Sequence, residues 1–499
     1  MIKSARGKRS RNGSVETTDT QRTSSRVMKK RLRGDSVKVH DFKAFKKSFY
    51  KDETNKLIQN SLCSSFLYRI AEEREYMQSR DNEFSHVLDP ELNVTDQGLS
   101  GRCWLFAVLN VMRHELVRKY QLPRDFELSE SYLCFYEKIE KCNYFLTKIM
   151  EMDELDAHDP ETQRLLLSGG SDGGYWVSCA NLIQKYGIVP KTAYRESINS
   201  FSTGIMKDII SKKLNGFAME LTSEKDKSKR PELKTRMMEE MYVVLCKMLG
   251  TPPTIDEKFT WSYTLHLDLT DKIAREHRRK LEGEFENLQI KNTVDVTPLE
   301  FYNKFIVNKL SNYLQFSNDP RNPYNKYYES PSHDIVVEGD RFGYYNLSID
   351  EITQLCITSI INNTPVEFDC DVMNYINPDV ELLDTKCYNY SLLLGKDFDK
   401  LSKKDMIMCL SSYPTHAMVL VGVDLDDTGR PLKWKVENSW GRDDDSTGYY
   451  TMSHDWFTRF VFNVVIQKDY VPKKLLDRYR TELSCPIMLP ENDIMGGEY

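Results

Sequence analysis

Cys103 sits in the stretch TDQGLSGRCWLFAVLNVMRHEL, residues 95–116, where a glycine-bearing loop runs into a strongly apolar segment. The spacing of Trp104, Leu105, Val108, Leu109, Val111, Met112 and Leu116 predicts a helix with a wide apolar face, capped by Ser100 or Gly101. A thiol in the first turn of that helix lies near the positive end of its dipole, which favours the nucleophilic thiolate. Thiolate chemistry also needs an imidazole to carry protons, a group to orient that imidazole and donors for an oxyanion. His416 opens the apolar run HAMVLVGVD, and Asn438 closes the next one in VENSWG. Gln97 lies upstream of the cysteine, close enough for its amide to turn back and join the Cys103 N–H as an oxyanion donor.

Singly, each residue has an ordinary reading: a packed thiol, a histidine at a strand end, an asparagine in a turn, a loop glutamine. Together they form three short patterns in the order that one class of thiol enzymes requires. The elements that must position them are legible around them. FELSESYLCFYEKIEKCNYFLTKIM reads as a second helix capped near Ser129, and its periodicity accounts for Cys134 and Cys142 without a metal. LLSGGSDGGYWVSCANLIQKYG is a glycine-rich loop feeding a further helix; Gly169, Gly170, Gly173 and Gly174 match neither phosphate-cradling spacing. Residues 200–290 carry helical spacing, as in KTRMMEEMYVVLCKMLG, broken sharply at TPPTIDEKFTWSY. Later runs such as TPVEFDCDV, THAMVLVGVDL, LKWKVENSW and RFVFNVVIQ are β-rich and separated by turn signals. An α-rich half followed by a β-rich half predicts an α+β architecture.

Composition excludes several classes. The chain has 499 residues, of which 29% are charged, and no apolar run approaches the ~20 residues of a membrane span. No secretory signal follows the basic start MIKSARGKRSRNG. The 11 cysteines are scattered, with no C-x-x-C pair, so neither a disulfide framework nor a zinc site is expected, and no metal or cofactor is called for. DLDDTGR, at 424–430, begins like a calcium loop, but Lys435 stands where the bidentate acid belongs; a hairpin turn fits better. The net charge of −6 conceals a basic tail: residues 1–34 hold 11 Lys/Arg against Glu16 and Asp19, leaving −15 for the remainder. Such a segment cannot order itself by burial. It is read as a solvated tail, a nuclear address, a mitochondrial transit peptide or a weak nucleic-acid contact.

The blocks SGRCWLFA, THAMVLVGV and WKVENSWG resemble the three active-site motifs of papain-like cysteine peptidases. The resemblance is closer still to the bleomycin hydrolase and aminopeptidase C family. It extends over ELSESYLCFYEKIEKCNYFL, DGGYWVSCANLIQKYGIVPK, FTWSY, TPLEFYNKFI, NDPRNPY and PIMLPENDIMG. It implies a papain-like, two-lobed α+β fold with a helical insertion. The chain then divides into a basic disordered tail (1–40), an N-terminal part carrying the nucleophile (41–200), a mainly helical insertion (201–330), a β-rich lobe carrying the histidine and asparagine (331–484) and a C-terminal arm entering the cleft (485–499). It implies a Cys103–His416 ion pair oriented by Asn438, an oxyanion site including Gln97, and Trp440 shielding the His–Asn hydrogen bond. Gly173 and Gly174 would pair with the substrate backbone, or else only shape a turn. The Tyr499 carboxylate would receive a substrate's free amine, giving an intracellular aminopeptidase for peptides, or else the terminus is frayed. Relatives form homohexameric rings, so a hexamer in the cytoplasm is expected. Two departures stand out, the basic tail and the bulkier, acidic ending MGGEY. The competing reading is a nucleic-acid-associated ring protein that acts through its tail.

Overall fold

The computed structural model describes residues 37–266, 289–330, 335–395, 400–490 and 493–495. Most of the basic tail and Tyr499 lie outside the described residues. The chain divides into two compact units, Met1–Glu72 with Leu392–Leu394 and Glu73–Ser391 with Gly395–Tyr499. The described part of the first contains the short helices Asp41–Phe49, Thr54–Leu62 and Leu67–Ala71.

In the second unit, helix α1 (Cys103–Tyr120) starts at the thiol and ends where Gln121 turns left-handed at φ 49°. It is buried on nearly every side, including Asn110, Arg113 and His114, so it is a central helix rather than an amphipathic surface one. The expected cap differs: Arg102 occupies the N-cap position and gives the helix no side-chain bond. Ser100 instead accepts from Arg102 Nε and donates to the Gln97 carbonyl, which stiffens the loop before the helix. Helix α2 (Glu130–Glu151) is capped as expected, Ser129 Oγ accepting from the Tyr132 N–H at 3.1 Å, and it buries Cys134 and Cys142. Helix α3 (Trp176–Tyr186) follows the glycine loop. Helices α4 (Gly204–Ser223) and α5 (Arg230–Leu249) pack on α2 and bury Met206, Ile210, Leu214, Met237, Met241 and Leu245.

The stretch after α5 is not helical throughout. Strands β1 (Phe259–His266) and β2 (Gln289–Val296) form an antiparallel pair with Phe259 opposite Val296. The alternation of Phe259, Trp261 and Tyr263 with Thr260, Ser262 and Thr264 is a strand pattern, and Trp261 packs on Phe301 and Phe305.

The main sheet uses strands β3 (Tyr313–Ser317), β4 (Tyr327–Ser330), β5 (Phe342–Asn346), β6 (Val366–Cys370), β7 (His416–Leu425), β8 (Pro431–Glu437), β9 (Tyr449–Ser453), β10 (Val461–Gln467) and β11 (Ile487–Met488). Their order is β11-β4-β5-β3-β10-β6-β7-β8-β9, extended by Leu382–Leu383 and Ile376–Asn377. Strands β3 and β4 come from within the 201–330 span. The β7–β8 connection is the hairpin turn expected for DLDDTGR, closed by Asp426 N–H on the Arg430 carbonyl with Gly429 at φ +80°. Two features matter for chemistry. Helix α1 lies against β6 and β7, and His416 stands at the first position of β7, opposite Cys370 of β6.

Candidate active site

The loop that delivers Cys103 is tied to the loop that carries Asn438. The Gln97 N–H donates to the Ser439 carbonyl at 2.8 Å, the Gly441 N–H donates to the Thr95 carbonyl at 2.9 Å, and Asp96 bridges Trp440. Gln97 is buried; its Oε1 accepts from Ser439 Oγ at 2.6 Å and its Nε2 donates to the Ser100 carbonyl at 2.6 Å. An amide nitrogen carries two hydrogens, so one remains for a second acceptor.

His416 is buried, and its Nε2 lies 2.8 Å from Asn438 Oδ1. With the amide oxygen toward the ring, Nε2 is the donor and Nδ1 holds the basic lone pair of the neutral imidazole. The Trp440 ring lies over His416, centroids 5.0 Å apart and tilted by 31°, and is braced edge-on by Tyr450. Burial lowers the His416 pKa to about 4, opposed by the hydrogen bond to Asn438.

The Cys103 thiol meets the N–H of Ala417, the residue after His416. Thus the sulfur, the start of β7 and the His416–Asn438 pair converge. Burial pushes the thiol up to about 12; the Ala417 and Trp104 N–H groups pull it down, while Asp369 and Glu367 push it up. Burial therefore favours uncharged thiol and imidazole separately. Moving the thiol proton to the imidazole creates opposite charges whose attraction in a water-poor site opposes that preference.

Gly174 lies against Trp104, where a Cβ would come within 2.7 Å of the indole. The Gly173 carbonyl accepts from Lys141 Nζ at 2.6 Å. Next to them, Tyr175 shares an apolar cluster with Phe342, Leu489, Ile494 and Met495, so the described end of the C-terminal arm reaches the glycine loop. Of the residues predicted from sequence, Gln97, Cys103, His416, Asn438 and Trp440 are gathered together, with Gly174 against Trp104 and Gly173 held by Lys141.

Several residues near the site were not foreseen. Glu367 and Asp369 alternate on β6 inside an apolar run, fully buried; Asp369 accepts from Asn463 Nδ2 at 2.9 Å, and neither Glu367 oxygen has a hydrogen-bond partner. The alternation of acids in VEFDCDV was the available signal. Glu437, beside Asn438, accepts from Arg113 and from His114, each at 2.7 Å. Asp172, inside the glycine loop, binds the turn before Cys103. Among the described residues, no group of three or more His, Cys, Asp or Glu side chains could hold a metal.

Comparison with known proteins agrees with this geometry. A profile of the Peptidase C1-like family matches residues 36–496. The chain belongs to the Peptidase C1-like family. It is 34% identical over 455 residues to bleomycin hydrolase of Rattus norvegicus, covering 88% of this chain and 94% of that one. It is 32% identical over 443 residues to aminopeptidase C of Lactobacillus delbrueckii subsp. lactis, covering 88% and 93%. The crystal structure of PepW from Lactobacillus rhamnosis matches with a TM-score of 0.83 at 31% identity, covering 93% of this chain and 99% of that one. The resemblance drawn from the motif blocks and the expected papain-like α+β fold are both borne out.

Proposed function

We infer that the protein is a cysteine-type aminopeptidase of the bleomycin hydrolase kind, hydrolysing N-terminal peptide bonds and related amides through a thioester. The observation that carries this reading is the meeting of the Cys103 thiol with the strand that presents His416, itself hydrogen bonded to Asn438. Cys103 attacks the scissile carbonyl after its proton passes to His416. The oxyanion is held by the Cys103 N–H and Gln97 Nε2. His416 then protonates the leaving amine, activates water and releases the acid product. Asn438 fixes the ring, and Trp440 covers that hydrogen bond. Gly173 and Gly174 present backbone to an extended substrate. The Tyr499 carboxylate takes the substrate's free amine; the approach of Ile494 and Met495 to Tyr175 supports that assignment.

The protein acts as a homohexamer in the cytoplasm. Eleven free thiols suit a reducing compartment. Exposed apolar side chains around the start of the span expected to be insertion, Ile198 just before it and Ile205 within it, suit a subunit contact. Clustered basic tails add a weak, salt-sensitive attraction for nucleic acid.

Wild type and Cys103→Ala, assayed on free-amine and N-acetylated fluorogenic peptides, test nucleophile and exopeptidase mode together. Cleavage restricted to the free-amine peptide, with a loss of at least ~10³-fold in Cys103→Ala, is expected. Undiminished hydrolysis by Cys103→Ala would overturn the reading.

A further inference from the structure

The glycine loop holds a charged hub that the reaction scheme leaves unused. Asp172 is 5% exposed and grips the nucleophile's segment on both sides of Cys103. Its carboxylate accepts from the Gly101 N–H at 3.1 Å, two residues before the thiol. Its main-chain carbonyl accepts from Trp104 Nε1 at 2.9 Å, one residue after it. The fit at Gly101 is close, since a Cβ there would lie 2.8 Å from the Asp172 Cβ.

The carboxylate is itself held from two other segments. Lys138 Nζ of α2 lies 2.7 Å from Oδ1, and Thr203 Oγ1, just before α4, donates to Oδ2 at 2.5 Å with Lys207 at 3.4 Å. The Thr203 N–H also bonds the Leu99 carbonyl of the loop between Gln97 and Cys103. Burial disfavours a charge here, but Lys138, Thr203 and Lys207 hold the Asp172 carboxyl well below the usual carboxylate range. The hub therefore stays ionised at any working pH, and charge-assisted bonds in buried surroundings are the stiff ones.

A second arm of α2 reaches the glycine pair. Lys141, paired with Glu137 at 2.9 Å, donates to the Gly173 carbonyl at 2.6 Å. One turn of α2 thus holds both the nucleophile's turn, through Lys138 and Asp172, and the glycine pair, through Lys141.

Resting on the proposed peptidase reading, we propose that Asp172 is a positioning residue for the Cys103 nucleophile and that Lys141 is the corresponding positioning residue for the peptide-binding backbone at Gly173–Gly174. The two arms act on different steps. Loosening Asp172 lets the thiol drift from its reactive placement, which lowers turnover with binding intact. Releasing the Gly173 carbonyl loosens the loop segment that meets the substrate, which weakens binding with turnover intact.

The test uses the full chain carrying Asp172→Asn, Thr203→Val or Lys141→Met. Readouts are kcat and KM on a free-amine peptide, iodoacetamide labelling of Cys103 followed by peptide mass spectrometry, and thermal unfolding. Asp172→Asn is expected to lower kcat by about tenfold or more with KM within about twofold. Thr203→Val, which removes one bond to the hub, goes the same way by about threefold. Lys141→Met is expected to raise KM at least about threefold with kcat within about twofold. If Asp172→Asn fails to fold, Thr203→Val decides in its place. Folded Asp172→Asn or Thr203→Val protein with wild-type kcat, or Lys141→Met and Asp172→Asn changing the same constant in parallel with their melting temperatures, would overturn the proposal. Should wild type hydrolyse no peptide, the peptidase reading fails instead. Slower labelling of Cys103 in Asp172→Asn would still uphold the hub's grip on the thiol, and unchanged labelling would refute it.

Discussion

At the scale of single residues, the thiol proposed as nucleophile is governed by groups of opposing effect. The Ala417 and Trp104 N–H groups favour the thiolate, whereas Asp369 and Glu367, facing it from β6, oppose it. Burial raises the Asp369 carboxyl to about 7, the hydrogen bond from Asn463 working against it, and burial with the neighbouring Asp369 drives Glu367 well above its ordinary value. Asp369 is thus neutral in mild acid and charged above neutrality. A carboxyl raised in the folded state contributes stability at low pH that is lost as pH rises through the folded value. Asp369→Asn should accordingly match wild type in Cys103 labelling near pH 5, where the folded carboxyl is neutral, and match it in stability only below the unfolded carboxyl pKa of about 4. At pH 8 it should label faster at Cys103, and its stability advantage over wild type in denaturant titrations should grow as pH rises from 4 to 8. A variant that is slower to label or less stable at pH 8 would show that the acid has another role.

At the scale of elements, the proposed catalytic groups come together because α1 and the β6–β8 strands are locked together by more than apolar packing. Glu437 of β8 receives Arg113 and His114 from α1, and Arg113 also donates to the Asn93 carbonyl. Burial works against the charge on Glu437, but Arg113 and His114 hold its carboxyl below the ordinary value. Its contribution is therefore present above the unfolded carboxyl pKa and lost as pH falls through the lower folded value. Removing the charge strands a buried guanidinium, so Glu437→Gln should cost about 3–5 kcal/mol in unfolding experiments at neutral pH, and a loss under ~1 kcal/mol would refute the lock. The chemistry-bearing motifs were legible in sequence because each is local: a thiol at a helix start, a histidine opening a strand, an asparagine closing the next. The lock was not, since Glu437 and Arg113 lie 324 positions apart and nothing local marks either as buried. The hairpin of β1 and β2 was missed for a related reason: its strands are separated by a stretch of helix-like composition, so the alternation in FTWSYTLH had no adjacent partner to reveal it.

At the scale of the molecule, the sequence foretold an α-rich half and a β-rich half but not their interleaving. The mixed sheet draws β3 and β4 from the span expected to be insertion, and Thr203 and Ser202 at that span's start bond the loop before Cys103. Part of the span expected to be insertion thereby helps to hold the loop before Cys103. Its exposed apolar residues, including Ile205 and Met219, carry the assembly expectation. Sedimentation of the full chain should show a hexamer that dissociates, with a loss of affinity between subunits, when Ile198 and Ile205 are both changed to Asp; a wild-type monomer would refute it.

In the proposed mechanism the imidazole of residue 416 activates the sulfur of residue 103, and the pH profile of iodoacetamide labelling at Cys103 measures that directly. In wild type, Cys103 should react at pH 5.5 far ahead of the exposed Cys63, Cys409 and Cys485. In His416→Ala it should lose that low-pH reactivity and titrate as an ordinary buried thiol, with its midpoint well into the alkaline range. Superimposable profiles for the two proteins would contradict the account.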